Sequence, residues 1–176
     1  MGFLMGQLSL FRRHYRIAWA VMTITAFAAS GVQASAGKEN LVKAAFVYNF
    51  TKLVEWSQPH NPILMCFDGA KEYGKALKQI EKRSIKRQSY KYVKAPSLDI
   101  NCQLFTQDQT KGSKPLRKSD ELLTIGEGEE FIKKGGMIAF INAGGKIRFI
   151  INLPAAQAAG LSLNPQLLEV AHKVVR

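Results

Sequence analysis

GGMIAFINAGGKIRFIINLP, residues 135–154, is the stretch that decides the fold. Two apolar runs, 137–141 and 146–153, flank Asn142-Ala143-Gly144-Gly145, a short glycine-containing connection of the kind that closes a β-hairpin. In the second run Ile147, Phe149 and Ile151 alternate with Arg148, Ile150 and Asn152. One face of that strand is therefore core, and Arg148 and Asn152 share the other. Arg148 is a candidate contact residue, because a guanidinium on an exposed strand face can fork onto a carboxylate or another planar group.

Working outward, residues 127–134 read as a short helix with its acids first and its lysines last, and Gly135 fits the C′ position. Pro154 opens an alanine-rich helix that Gly160 closes. Asn164-Pro165 cap and start a final helix, with Leu167, Leu168, Ala171 and Val175 available for burial. Upstream, the unbroken apolar run 63–67 between Pro62 and Asp68-Gly69 predicts a buried central strand. A surface helix over 71–82, strands over 90–93, 102–105 and 122–125, and a polar loop over 107–119 with Gly112 and Pro115 complete the middle. Residues 38–57 predict a helix with Val42, Phe46, Phe50, Leu53 and Val54 on one side, ended by Pro59 and Pro62. Leu41, Tyr48 and Trp56 lie outside that stripe, so the helix is either deeply buried or has a second contact surface. The expected fold is α/β: a three-layer single domain with a mixed β-sheet flanked by helices and a C-terminal antiparallel hairpin.

Residues 1–36 read as a secretory signal peptide. Arg12, Arg13 and Arg16 precede an apolar run over 17–29, and Ala34-Ser35-Ala36 supplies a small-residue cleavage site. The run is short for a membrane anchor of about 20 apolar residues. Cleavage after Ala36 leaves 37–176 as one domain, and the loss of three arginines and no acid lowers the net charge from +12 to +9. In an exported chain the even pair Cys66 and Cys102 favours a disulfide over two free thiols or one nucleophilic thiol. Export also makes nucleic acid an improbable partner for the basic cluster Lys71, Lys75, Lys78, Lys82, Arg83, Lys86, Arg87, Lys91 and Lys94, which faces only Glu72 and Glu81. That cluster reads as a solvated helix face, or as a surface for an acidic protein or an anionic membrane.

Catalytic chemistry finds little support in this sequence. Gly126-Glu127-Gly128 starts like a dinucleotide loop but has Phe131 at the third glycine, and its glutamates would repel a phosphate. His60 and His172 lack partners at metal-ligand spacing, so no metal and no cofactor is expected. Asn49-Phe50-Thr51 matches a glycosylation acceptor by chance inside a helix.

Several segments resemble the YfiR-like periplasmic proteins. LVKAAFVYNFTKLVEW (41–56) resembles the family's opening helix. GGMIAF (135–140) and GGKIRFIINL (144–153) resemble its two terminal strands, and AAQAAGL (155–161) with Leu167-Leu168 resembles its ending. The resemblance implies a non-enzymatic periplasmic repressor. Its partner would be the periplasmic region of a membrane diguanylate cyclase or another sensor protein, and its action would lower cyclic di-GMP. It also implies sequestration by an outer-membrane lipoprotein, a homodimer, and a bridge at Cys66 and Cys102. Tyr48, Trp56, Arg148 and Asn152 are the expected partner- or ligand-binding residues. Ile150 stands where the family often has Glu, and with one cysteine pair a two-bridge redox switch is not available. The alternative reading is a small-ligand sensor module for a histidine kinase or transporter, with Arg148 gripping an anionic or aromatic metabolite.

Overall fold

The computed structural model describes residues 30–82, 88–94, 101–107 and 119–176, with side chains from residue 36. The basic and apolar parts of the leader, Arg83, Lys86, Arg87, and the loop at 108–118 with Gly112 and Pro115 lie outside the described residues. By contacts the chain divides into Met1–Ala36 and Gly37–Arg176, and the second unit is described below. In chain order the elements are α1 (Ser30–Leu53), β1 (Val54–Glu55), β2 (Ile63–Asp68), α2 (Lys71–Glu81), β3 (Tyr90–Lys94), β4 (Leu104–Gln107) and β5 (Leu123–Glu127). Then follow α3 (Glu129–Lys133), β6 (Ile138–Ala143), β7 (Lys146–Asn152), α4 (Leu153–Ala158), β8 (Ser162–Leu163), α5 (Pro165–Glu169) and β9 (Lys173–Val175).

Seven strands form one mixed sheet in the order β3-β2-β4-β5-β6-β7-β9. β3, β2, β4, β5 and β6 are parallel, β7 turns back on β6, and β9 runs parallel to β7. The hairpin forms as the sequence predicts, with Ala143 opposite Lys146. Gly144 and Gly145 both take positive φ, 60° and 73°, which a two-residue primed turn demands and only glycine adopts without strain.

Strand alternation sorts the core. Ile63, Met65, Phe67, Leu104, Leu123, Ile125, Ile138, Phe140, Phe149 and Ile151 point to one face and meet α1 and α2 in the main cluster. The other face carries Cys66, Phe105, Gly126 and Ile150. There the Cys66–Cys102 disulfide packs with Phe105, Leu122 and Val93, and α3 lies over β5, β6 and β7. Helices therefore flank both faces. Phe131 anchors α3: a Cβ on Gly126 would fall 2.4 Å from its ring, and one on Gly136 2.1 Å. Of the two glycines that start like a dinucleotide loop, Gly126 makes room for a phenyl ring, and Gly128 takes a positive φ of 75° where α3 begins.

Several boundaries differ from the sequence reading: α1 begins at Ser30 rather than at 38, and β4 spans Leu104–Gln107 rather than 102–105. α1 stops at Leu53, ahead of the prolines, because Val54 and Glu55 pair with Leu163 and Ser162 of β8 and Asn164 N–H donates to the Leu53 carbonyl at 2.8 Å. The final helix ends at Glu169, and the chain adds β9 to the free edge of β7, where β-branched Val174 and Val175 suit a strand. Cys66 lies inside β2 and Cys102 two residues ahead of β4. On α1 the buried residues among those described are Lys43, Ala44, Val47, Tyr48, Phe50 and Thr51, followed by Val54 in β1, whereas Val42 is 44% exposed. The stripe expected through Val42 is thus rotated.

Two outcomes follow from this packing. Phe131→Ala empties the space between two glycines and should lower unfolding stability by about 3–5 kcal/mol, measured by urea denaturation. Cys66→Ser with Cys102→Ser opens a link with a sequence separation of 36 and should lower stability by about 4 kcal/mol, read as a fall in Tm of about 10 °C.

Candidate functional site

The sheet positions α1 through aromatic contacts with the hairpin. Phe50 lies 5.0 Å from Phe149 and 6.0 Å from Phe140, and Phe46 lies 5.4 Å from Phe149, centroid to centroid. With that face committed, the opposite side of α1 turns outward. Leu41 is 50% exposed and Val42 44%; with Val170 they are the exposed large apolar residues among those described. Leu41 also lines a groove with Ala44, Ala45 and Tyr48 of α1 and Ala76, Gln79 and Ile80 of α2.

Beside Val42, Lys43 points inward and is only 6% exposed. Its Nζ donates to Glu127 Oε1 at 2.8 Å and lies 2.6 Å from Glu39 Oε1. Burial is the largest single influence on its pKa and acts downward. The hydrogen bonds and charges of Glu127 and Glu39 together outweigh it, so the ammonium is held above its ordinary range. This bridge ties the middle of α1 to the end of β5. It lines a cleft of about 280 Å³ with Gly128, Phe140, Ile141, Asn142 and Ile147. The Glu39–Lys43 pair is legible as an i,i+4 spacing. Glu127, 84 residues away, is not.

The four residues singled out by sequence do not converge. Tyr48 is buried, edge-on to Tyr90 at 5.7 Å, with Lys52 Nζ 3.8 Å above its ring. Trp56 is half-buried and donates its indole N–H to the Glu121 carbonyl at 2.9 Å. Asn152 accepts from Ala155 N–H at 3.2 Å and so caps α4. Arg148 alone of the four is exposed, on the face of β7 turned away from α1. Tyr48, Trp56 and Asn152 thus build the frame, and Arg148 is the one left at the surface.

Sequence reasoning missed Glu121, which has a positive φ of 57° with a full side chain. Such a backbone persists only when its surroundings over-determine it. Here they do: its N–H donates to the Ala159 carbonyl at 2.7 Å, its carboxylate accepts from the Ser57 backbone N–H at 2.9 Å and from the Ser57 hydroxyl, and His60 Nε2 lies 3.3 Å from Oε2. The carboxylate sits between serine and histidine. That order does not let the imidazole take the serine proton as a nucleophilic dyad requires. The cluster instead fastens the turn after β1 to the segment leading into β5.

The Ser57 hydroxyl, His60 and the Ser57 N–H hold the Glu121 carboxyl below its ordinary value of 4.5, against a smaller desolvation effect. A depressed folded pKa stabilises the fold above the unfolded value and loses that contribution as pH falls through the folded one. Trp56 is the sole tryptophan of residues 37–176, and its emission should stay constant from neutrality to about pH 4.5 and shift below it. Glu121→Gln should remove that transition.

The sequence model of the YfiR/HmsC-like family, DUF4154, matches residues 40–172. A search of curated proteins gave no match. The matched span runs from α1 to the residue before β9, enclosing the aromatic contacts, the disulfide, the hairpin and the Lys43 bridge, and on that extent the chain belongs to the YfiR/HmsC-like family.

Proposed function

We propose that this protein is a periplasmic regulator that binds the periplasmic region of an inner-membrane diguanylate cyclase and holds the enzyme inactive. The observation that carries the reading is the family match over 40–172. The secretory leader read in residues 1–36 and the Cys66–Cys102 disulfide agree with an oxidising compartment. Among the described residues no helix is long and apolar enough to cross a membrane. Regulation then acts by contact: a ligand that prefers the off state of the sensor shifts the cyclase equilibrium by its difference in affinity for the two states. A homodimer, and sequestration by an outer-membrane lipoprotein, belong to the same proposal.

The contact surface in this proposal is the outward face of α1 at Leu41 and Val42, next to the cleft floored by Lys43. Exposed apolar side chains beside a shaped polar cleft suit a protein interface, in which a few desolvated anchors supply most of the affinity. Arg148 extends the surface on the far side of the hairpin.

Deleting the gene should raise intracellular cyclic di-GMP, and the wild-type gene should restore it. Leu41→Glu with Val42→Glu removes about 2–3 kcal/mol of apolar burial from a complex, a roughly 30–150-fold weaker Kd. That variant should accumulate in the periplasm with its disulfide intact yet fail to restore repression. Unchanged cyclic di-GMP on deletion would reject the cyclase as target.

A further inference from the structure

α2 carries a feature that the family reading does not use. Lys71, Lys75, Lys78 and Lys82 recur at i, i+4, i+7 and i+11, and all four are exposed. At about 100° per residue they fall within a ~60° arc, and at 1.5 Å per residue they form a stripe about 16 Å long. The core residues Tyr73, Ala76, Leu77 and Ile80 occupy the opposite side. Lys94 extends the stripe: it is exposed and pairs beside Phe67, four residues before Lys71, so it lies at the same end of the sheet as the start of α2.

The helix itself accounts for only part of this arrangement: Lys78 and Lys82, at its C-terminal end, suit the helix dipole. Lysines at i,i+3 and i,i+4 repel one another, and Lys71 in the first turn opposes the helix dipole. Among the described residues Lys75 alone of the five has a carboxylate within 4.0 Å, that of Glu72 at 2.9 Å. Glu81, the other acid of α2, has its carboxylate 3.3 Å from the Tyr92 backbone N–H, on the edge strand β3. An isolated helix would be more stable with acids interleaved, so the stripe answers to something outside the molecule.

We infer that this stripe docks the protein on an anionic phospholipid bilayer. The residue type decides between a membrane and an acidic protein. Protein interfaces deplete lysine and favour arginine and aromatic anchors, and among the described residues the stripe contains neither. Lysine ammoniums are flexible point charges that suit a fluid sheet of phosphate headgroups, where each contributes a factor of about five to binding. The inference adds to the proposed function a location, the bilayer surface, and relies on that reading only for which membrane is met.

The test is co-sedimentation of the protein, purified in the form the cell accumulates, with vesicles of phosphatidylcholine alone or with phosphatidylglycerol at about 30%, a strongly anionic surface. Wild type should bind the anionic vesicles only, and binding should collapse as salt rises from about 50 to about 500 mM. Lys71→Gln with Lys78→Gln and Lys82→Gln keeps strong helix formers and should weaken binding about 100-fold. Lys38→Gln with Lys146→Gln and Lys173→Gln, exposed lysines elsewhere, makes the same change in net charge and should retain binding within a few-fold. Equal loss in both triple variants, binding to neutral vesicles, or capture by polyglutamate without vesicle binding would overturn the inference. None of these readouts involves the cyclase, so failure here leaves the regulatory reading standing, and failure there leaves this one.

Discussion

Four phenylalanine rings join the first helix to the hairpin near the other end of the chain. Phe46 and Phe50 meet Phe140 and Phe149 with centroids 5.0–6.0 Å apart, in stacked, tilted and edge-on pairs. A ring of this size buries about 150–250 Å², so the quartet removes a large apolar surface from water. Its consequence is orientation. Once Phe50 is fixed on Phe149, the helical period places Val47 in the core and Leu41, Val42, Ala45 and Asn49 outside. The β1–β8 pair then locks the C-terminal end of α1 onto the segment that follows the hairpin.

What the sequence disclosed was mostly local chemistry. The hairpin, the Asn164-Pro165 start of α5, the Gly135 C′ with φ 91° and the buried strand at 63–67 follow from turn residues and apolar runs. β9 was read as helix because Leu167, Leu168, Ala171 and Val175 fit a helical period. The free edge of β7 overrode that weak pattern, drawing His172 N–H to the Phe149 carbonyl at 2.9 Å. β1 and β8 are two residues each, too short to show any period. The same limit applies to the site. Lys43 was legible as one more helix lysine. Its burial depends on Glu127, which only the fold brings near. Glu121 carries no sign in the sequence of its positive φ, since a Gly would have been expected there.

The lysines show how position sets the meaning of a charge. Lys43, nearly without solvent, is tolerable because two carboxylates hold it, and removing either leaves a buried ammonium under-compensated. The α2 lysines are solvated, mutually repulsive and almost free of acids. One arrangement fixes structure and tolerates little change. The other contributes nothing to the fold that a glutamine would not.

These surfaces are neighbours. Leu41 shares a groove with Ala76, Gln79 and Ile80, and Gln79 directly follows Lys78 on the outer side of α2. A molecule resting its lysines on a bilayer would therefore hold the exposed face of α1 close to that bilayer, at the level of the periplasmic region of a membrane-anchored enzyme. Confinement of both partners to one surface raises their effective concentration without any new contact between them. A modest apolar patch such as Leu41 and Val42 can then suffice for repression. On the proposed function, repression would also weaken at high salt although the proposed protein–protein contact is apolar. The salt dependence would enter through the lysines, not through the interface.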